Sequence, residues 1–167
     1  VEFLLHRGRQ HSKGRSLMGK QIIKPRFVDG LLFDPTWSRV VLIRKTKPEW
    51  QAGLLNCVGG KIEPGEDIEM AMIREFREET GVSIGGWKRF LDMKLIRNNG
   101  ELYCFYNTGN VDAAQTQTEE DVIVMNVAEV MNRCDTIPNL RWMIQMARSF
   151  QFGESALKFS VQEMTKP

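Results

Sequence analysis

The stretch Ile68–Thr80 constrains this chain more than any other. It holds no glycine or proline and reads as a helix, stopped by Gly81, the residue type that most readily takes the left-handed turn at a helix end. Glu66 and Asp67 precede it and set negative charge against the positive end of the helix dipole. At ~100° per residue, Ile68, Ala71 and Met72 make an apolar stripe, and Glu75, Glu78 and Glu79 continue the same side. A stripe that should meet a core therefore ends in acids spaced i, i+3 and i+4. Like charges so placed repel, and partial burial makes their ionisation costlier. One resolution is a solvated acidic face with Arg74 and Arg77 beside it, since charge runs commonly face water. The other is a cation held by hard oxygen ligands, which suits Mg²⁺, Mn²⁺ or Ca²⁺ rather than zinc.

The surrounding pattern alternates strands and helices. Arg26–Phe33 reads as a strand, Asp34–Ser38 as a turn and Val40–Ile43 as the returning strand of a hairpin. Lys45–Gly53, polar and holding Pro48, reads as a loop, and Leu54–Val58 as a short strand ending at Gly59-Gly60. After the helix, Trp87–Arg97 and Glu101–Asn107 form a second hairpin about the turn Asn98-Asn99-Gly100. Asp112–Asp121 is a polar loop, Val122–Val127 a strand, Ala128–Asn132 a helical turn and Pro138–Phe150 a second helix. Phe152–Pro167 fits no one class. The mixture predicts an α/β domain with a mixed central sheet between helices.

At 167 residues the chain fits one domain with a real core. Its net charge of +2 hides an asymmetry: residues 1–26 hold seven Lys/Arg against Glu2, leaving 16 basic and 20 acidic residues in the remainder. We read residues 1–25 as a basic, flexible extension and 26–167 as the domain. Such an arm is also the one feature that favours RNA as a partner. No apolar run approaches the ~18 residues of a membrane span, so no membrane partner is expected. Cys57, Cys104 and Cys134 form no CxxC pair. They read as small buried hydrophobes in a reducing, cytoplasmic setting. Monomer and homodimer are equally compatible with the sequence.

The segment from Gly60 to Val82 resembles the Nudix box, G-x5-E-x7-R-E-U-x-E-E-x-G-U, where U is a bulky apolar residue. Gly60, Glu66, Arg74, Glu75, Glu78, Glu79 and Gly81 fill its fixed positions, and Phe76 and Val82 its apolar ones. The resemblance implies a Nudix-type α/β/α sandwich. It also implies an enzyme that uses Mg²⁺, or Mn²⁺, to hydrolyse the diphosphate linkage of a nucleotide. By that resemblance Glu75, Glu78 and Glu79, with the Gly59 carbonyl, stand where the family holds its metal. Arg74 stands where an arginine orients the glutamates, which suits a guanidinium that forks onto carboxylates. Glu66, Gly60 and Gly81 are structural. Three candidates remain for the general base: Glu75, Glu119 and Glu120, the last two against a solvated-loop reading.

Further residues bear on the substrate. Gly59-Gly60-Lys61 resembles the opening of the box in MutT-like triphosphatases, with Lys61 placed as a point charge for phosphate. Asn56, ahead of it, resembles the asparagine with which oxidised-purine triphosphatases bond the base, and an amide both donates and accepts. The alternative is an asparagine bonding its own backbone. Asn139 lies roughly where such enzymes place a second base reader. Arg44, Lys45 and Lys47 either touch phosphates or, the favoured reading, form a solvated basic edge, and Trp50 and Phe33 either stack on a base or pack internally. The leading expectation is a nucleoside triphosphate, an oxidised purine included, cleaved to monophosphate and pyrophosphate. Hydrolysis of ADP-ribose, dinucleoside polyphosphates or capped RNA is the alternative within the same chemistry. A nucleotide-sensing module without catalysis is the alternative outside it.

Overall fold

The structure is a computed structural model, and it describes residues 24–95, 99–153 and the backbone of 160–162. Residues 1–23, with most of the basic extension, lie outside the described residues, as does Asn98 of the second hairpin turn. The strands are β1 (Arg26–Phe33), β2 (Arg39–Arg44), β3 (Leu55–Asn56), β4 (Val58–Lys61), β5 (Lys88–Leu95), β6 (Gly100–Thr108), β7 (Asp121–Asn126) and β8 (Ser160–Gln162). The helices are α1 (Ile68–Thr80), α2 (Val127–Val130) and α3 (Leu140–Phe152).

All eight strands join one mixed sheet, ordered β3-β2-β1-β6-β5-β8, with β4 also on β1 and β7 on β2. β1 runs parallel to β6 along its whole length, and β5 parallel to β8; the other pairings are antiparallel. The first hairpin is short. β1 and β2 pair only at Leu32↔Val41 and Phe33↔Val40. Away from that contact the two strands part, the start of β1 pairing with β4 and the end of β2 with β3. The site forms where the sheet divides.

Each face of the sheet is covered, giving the α/β/α layering expected. α1 lays Ala71, Met72 and Phe76 on Val28, Leu32 and Phe105. On the other face α3 lays Leu140, Met143, Ile144 and Ala147 over Leu31, Phe33 and Cys104. α1 has the bounds its sequence predicts because both ends are capped. The Asp67 carboxylate accepts from the backbone N–H groups of Glu69 and Met70, and Gly81 takes φ 75°.

Several expectations need correction. The strand read over Leu54–Val58 is two, and the second runs through both glycines to Lys61. Glycine does not end it; it lets β4 lie close on β1, for a Cβ on Gly59 would stand 2.0 Å from the Val28 carbonyl oxygen. α3 begins at Leu140 rather than Pro138, because the preceding residues are held extended against β3: Leu55 N–H donates to the Asp135 carbonyl and Ile137 N–H to that of Leu55. It also ends two residues later than expected, at Phe152. Cys57 and Cys104 are buried, but Cys134 is exposed. Phe33 is fully buried and stacks on Trp37, far from any base-stacking role.

Candidate active site

Arg74 organises the acidic end of α1. Its Nε and Nη2 donate to the two carboxylate oxygens of Glu66 at 2.8 and 2.9 Å. Its Nη1 donates to Glu75 at 2.8 Å and Glu78 at 3.1 Å, and its Nη2 also reaches the Lys61 carbonyl at 3.0 Å. Hydrogen bonding to Glu66 is the largest cause that keeps the guanidinium protonated. The same bond, opposed by burial, lowers the Glu66 pKa. This fork fastens the loop after β4 to the helix.

The remaining acids are less well served. Burial raises the pKa of Glu75, with Arg74 opposing. Burial pushes Glu79 up to about 7, with Lys45 opposing and Glu120 adding to the rise. Glu79 accepts a long bond, 3.3 Å, from the Gly59 N–H. Glu78 is half exposed. Gly60 sits directly beneath Glu75: a Cβ there would lie 2.4 Å from its Oε2.

Two further elements reach this end. Lys45, at the end of β2, donates to Glu120 at 2.6 Å, and both side chains are largely buried. Glu120 also accepts from the Thr46 N–H. Lys45 is therefore no part of a solvated edge, which corrects the sequence reading; Lys47 is exposed and pairs with exposed Glu119. Of the two loop glutamates, Glu120 lies inside the site and Glu119 outside it. Arg44 is occupied by the Gly53 carbonyl and Asp135.

Asp29 is a site residue that the sequence reading missed. It lies in the middle of β1, opposite Gly59 on one side and Cys104 on the other. Burial pushes its carboxyl up to about 8, against the pull of Lys45, and Glu79 adds to the rise. Its signal in the sequence is a charge interrupting the apolar run from Phe27 to Phe33.

Gly59 and Gly60, which adjoin Glu79 and Glu75, open on a cleft of about 630 Å³, within the ~300–1,000 Å³ of small-molecule sites. Phe27 and Asp29 line its floor, Gly59, Gly60 and Lys61 one side, and Asn56 and Gln51 another. Trp50, Asn139 and Trp142 line it as well. Asn56, Lys61 and Asn139, apart in sequence, thus open on one space. Asn56 does bond its own backbone: the Cys57 N–H donates to its Oδ1 at 2.7 Å, and its Nδ2 donates to Gln51 at 3.3 Å. One amide hydrogen stays available.

Does this donor set suit a metal? Glu66, Glu75, Glu78, Glu79, Glu120 and Asp29 share two engaged cations, Arg74 and Lys45. That excess of negative charge, and the hard oxygens of Glu75, Glu78, Glu79 and the Gly59 carbonyl, fit a divalent cation of the Mg²⁺ type. Among the described residues no three acidic, His or Cys side chains yet form a cage, and Glu75 and Glu78 turn onto Arg74 instead.

Over 51 residues the chain is 43% identical to the NAD-capped RNA hydrolase NUDT12 of Macaca fascicularis, covering 30% of this chain and 11% of that protein. Over 45 residues it is 41% identical to the CTP pyrophosphohydrolase of Escherichia coli, covering 27% of this chain and 33% of that protein. The chain thus spans between a tenth and a third of these curated relatives. In structure it is similar to the NUDIX domain of Shewanella oneidensis NrtR, solved with ADP ribose (TM-score 0.66, 21% identity, 77% of this chain and 89% of that one). It is similar also to MutT of Aliivibrio salmonicida and Vibrio cholerae (TM-score 0.59, 20% identity, 74% and 96%). At such identity these two likenesses speak for the fold alone. The family model for the NUDIX domain matches residues 24–145, most of the chain, and on that match this chain belongs to the NUDIX family.

Proposed function

We propose that this protein is a Mg²⁺-dependent pyrophosphohydrolase acting on a nucleoside triphosphate, purine triphosphates and their oxidised forms foremost. The observation that carries the reading is the join between the acidic end of α1 and the cleft. Gly59, bonded to Glu79, and Gly60, beneath Glu75, line the same space as Lys61, a lysine for phosphate, and as rings and amides suited to a base. Nudix hydrolases generally use a divalent metal; when bound here by Glu75, Glu78, Glu79 and the Gly59 carbonyl, it would screen phosphate charge and acidify water. Arg74 holds Glu75 and Glu78 on one side of the helix, and Lys61 anchors the chain of phosphates. Asn56 and Asn139 offer amides to the base, beside Trp50 and Trp142.

In the reaction, water oxygen bonds to a phosphorus within the phosphate chain and the bridging P–O bond breaks. Pyrophosphate leaves, and the water proton passes to a carboxylate. Glu120 is favoured over Glu119 for that proton by its place inside the site, with Glu75 the remaining candidate. The similarity to an NAD-capped RNA hydrolase and to a CTP pyrophosphohydrolase supports two further substrates, a nucleoside diphosphate derivative at an RNA end and a pyrimidine triphosphate.

The test is a product-resolved screen with Mg²⁺ over GTP, 8-oxo-dGTP, ATP, CTP, ADP-ribose, dinucleoside polyphosphates and NAD-capped RNA. Release of pyrophosphate from one triphosphate class, abolished by EDTA, is the expected result. Exclusive turnover of capped RNA or ADP-ribose moves the substrate, and tight nucleotide binding without turnover makes the domain a sensor.

A further inference from the structure

We propose that Asp29 is a specificity-determining residue, whose carboxyl group hydrogen-bonds a polar edge of the nucleoside from the floor of the cleft. This rests on the cleft being a nucleotide site and adds to it the group that chooses among nucleotides.

Side chains alternate along a strand, so residues 27, 29, 31 and 33 of β1 share one face of the sheet. Leu31 and Phe33 are buried in the core on that face and Phe27 packs against it. Asp29 is the charged member of the row. Its lateral neighbours are Gly59, with no side chain, and buried Cys104. The space above the carboxyl is open because position 59 is glycine: a Cβ there would lie 2.9 Å from the Asp29 Oδ1. Among the described residues no hydrogen bond or ion pair reaches that carboxyl, and its oxygens are not sealed off from the cleft it lines. Lys45, the cation whose charge acts on Asp29, is committed to Glu120.

A carboxyl group among apolar side chains without a hydrogen-bond partner costs stability. Breaches of local packing of this kind concentrate at functional sites. A ligand that fills the cleft displaces the water around this carboxyl and has to bring the partner in its place. A phosphate is the wrong one, since it carries the same charge. A nucleoside offers N–H groups on the base and O–H groups on the ribose, and a carboxylate accepts either. Both sources share one chemistry, a hydrogen-bond donor at the depth of the sheet.

The experiment measures kcat/KM with Mg²⁺ for GTP, ITP, 2′-deoxy-GTP, ATP, CTP and UTP on the wild type, Asp29→Leu and Asp29→Asn. ITP lacks the amino group of guanine and 2′-deoxy-GTP lacks one ribose hydroxyl, so the two sources are read separately. Asp29→Leu should lose about 10- to 100-fold on the preferred nucleotide, the usual span for one removed polar contact in a desolvated site. It should lose less than about threefold on the analogue missing the contacted group. Asp29→Asn should reorder the series. The thermal midpoint of Asp29→Leu should stay level or rise, since an apolar side chain suits that floor. Unchanged ratios across the series in folded variants would overturn the proposal, as would a lowered midpoint with a uniform loss on every nucleotide. If the wild type hydrolyses none of the six, the nucleoside-triphosphate reading fails separately. Asp29 is then judged by GTP protection against thermal unfolding: protection of the wild type but not of Asp29→Leu supports the role, and equal or absent protection refutes it.

Discussion

Neighbouring glycines, Gly59 and Gly60, should respond to alanine in opposite ways. Neither has a positive φ, so alanine meets no backbone strain at either position and the difference lies in what the new methyl touches. At Gly59 the methyl would stand 2.0 Å from the Val28 carbonyl oxygen and 2.9 Å from the Asp29 Cα. Ordinary contact needs roughly 3.5 Å, so β4 must leave β1 by more than ~1 Å. Overpacking of this kind costs about 1–3 kcal/mol, and a broken ladder hydrogen bond about 1 kcal/mol more. A loss of about 3 kcal/mol against a typical stability of ~5–15 kcal/mol moves a urea midpoint by about 1.5 M if the slope is ~2 kcal/mol/M. At Gly60 the methyl meets only the end of Glu75, 2.4 Å from Oε2 and 2.6 Å from Cδ. The carboxylate can swing aside, so stability should fall by less than ~1 kcal/mol, as for a change outside the packed core. Displacing a reacting group by ~1 Å costs on the order of 100-fold in rate. Urea denaturation and kcat/KM on one triphosphate therefore separate the two variants. A Gly60→Ala protein of wild-type activity would refute the role given to Glu75, and a Gly59→Ala protein of wild-type midpoint would refute the described contact between β4 and β1.

Other expectations follow from the same geometry. Glu79→Gln should fold normally, with a urea midpoint no lower than wild type because a desolvated carboxyl is removed, while kcat falls by at least ~100-fold. Arg74→Lys keeps a charge but loses the two-pronged contact with Glu66, so kcat should fall ~10-fold or more with KM little changed; equal losses in Arg74→Ala and Arg74→Lys would fit, and full rescue by lysine would not. Phe76→Ala, at a fully buried position between α1 and the sheet, should cost ~3–5 kcal/mol by denaturation. Asp34, nearly buried, pays desolvation but accepts from the Thr36 side chain and from backbone N–H groups, and its pKa falls from 3.8 to about 2. Because the folded value is the lower, that stabilisation, ~2 kcal/mol, is present above pH 3.8 and is lost as pH falls toward 2. Denaturation midpoints of the wild type and Asp34→Asn, followed from pH 6 to pH 2, should converge; parallel curves would count against it.

The half of the site that one helix supplies was legible in the sequence. Periodicity, the Asp67 and Gly81 caps and the spacing of the glutamates are all local, and they place α1 to the residue. The other half comes from register between distant strands. Lys45 reads as surface because its partner Glu120 lies far along the chain, and only the pairing of β2 with β7 brings them together. Asn56 and Asn139 open on one cleft because Leu55 binds the segment before α3, a contact that also delays the helix. Asp29 was visible as a charge inside a strand, but its meaning depends on Gly59 lying opposite. The Gly59-Gly60 pair reads as a strand end by local propensity, whereas tertiary contact makes it the middle of one.

The most direct test of the account is ³¹P NMR of GTP incubated with the wild type and with Glu79→Gln, each with Mg²⁺ and then with excess EDTA. The account predicts GMP and pyrophosphate from the wild type with Mg²⁺ alone, and unchanged GTP in the other three samples. Hydrolysis by Glu79→Gln at the wild-type rate, or hydrolysis that survives EDTA, would contradict it.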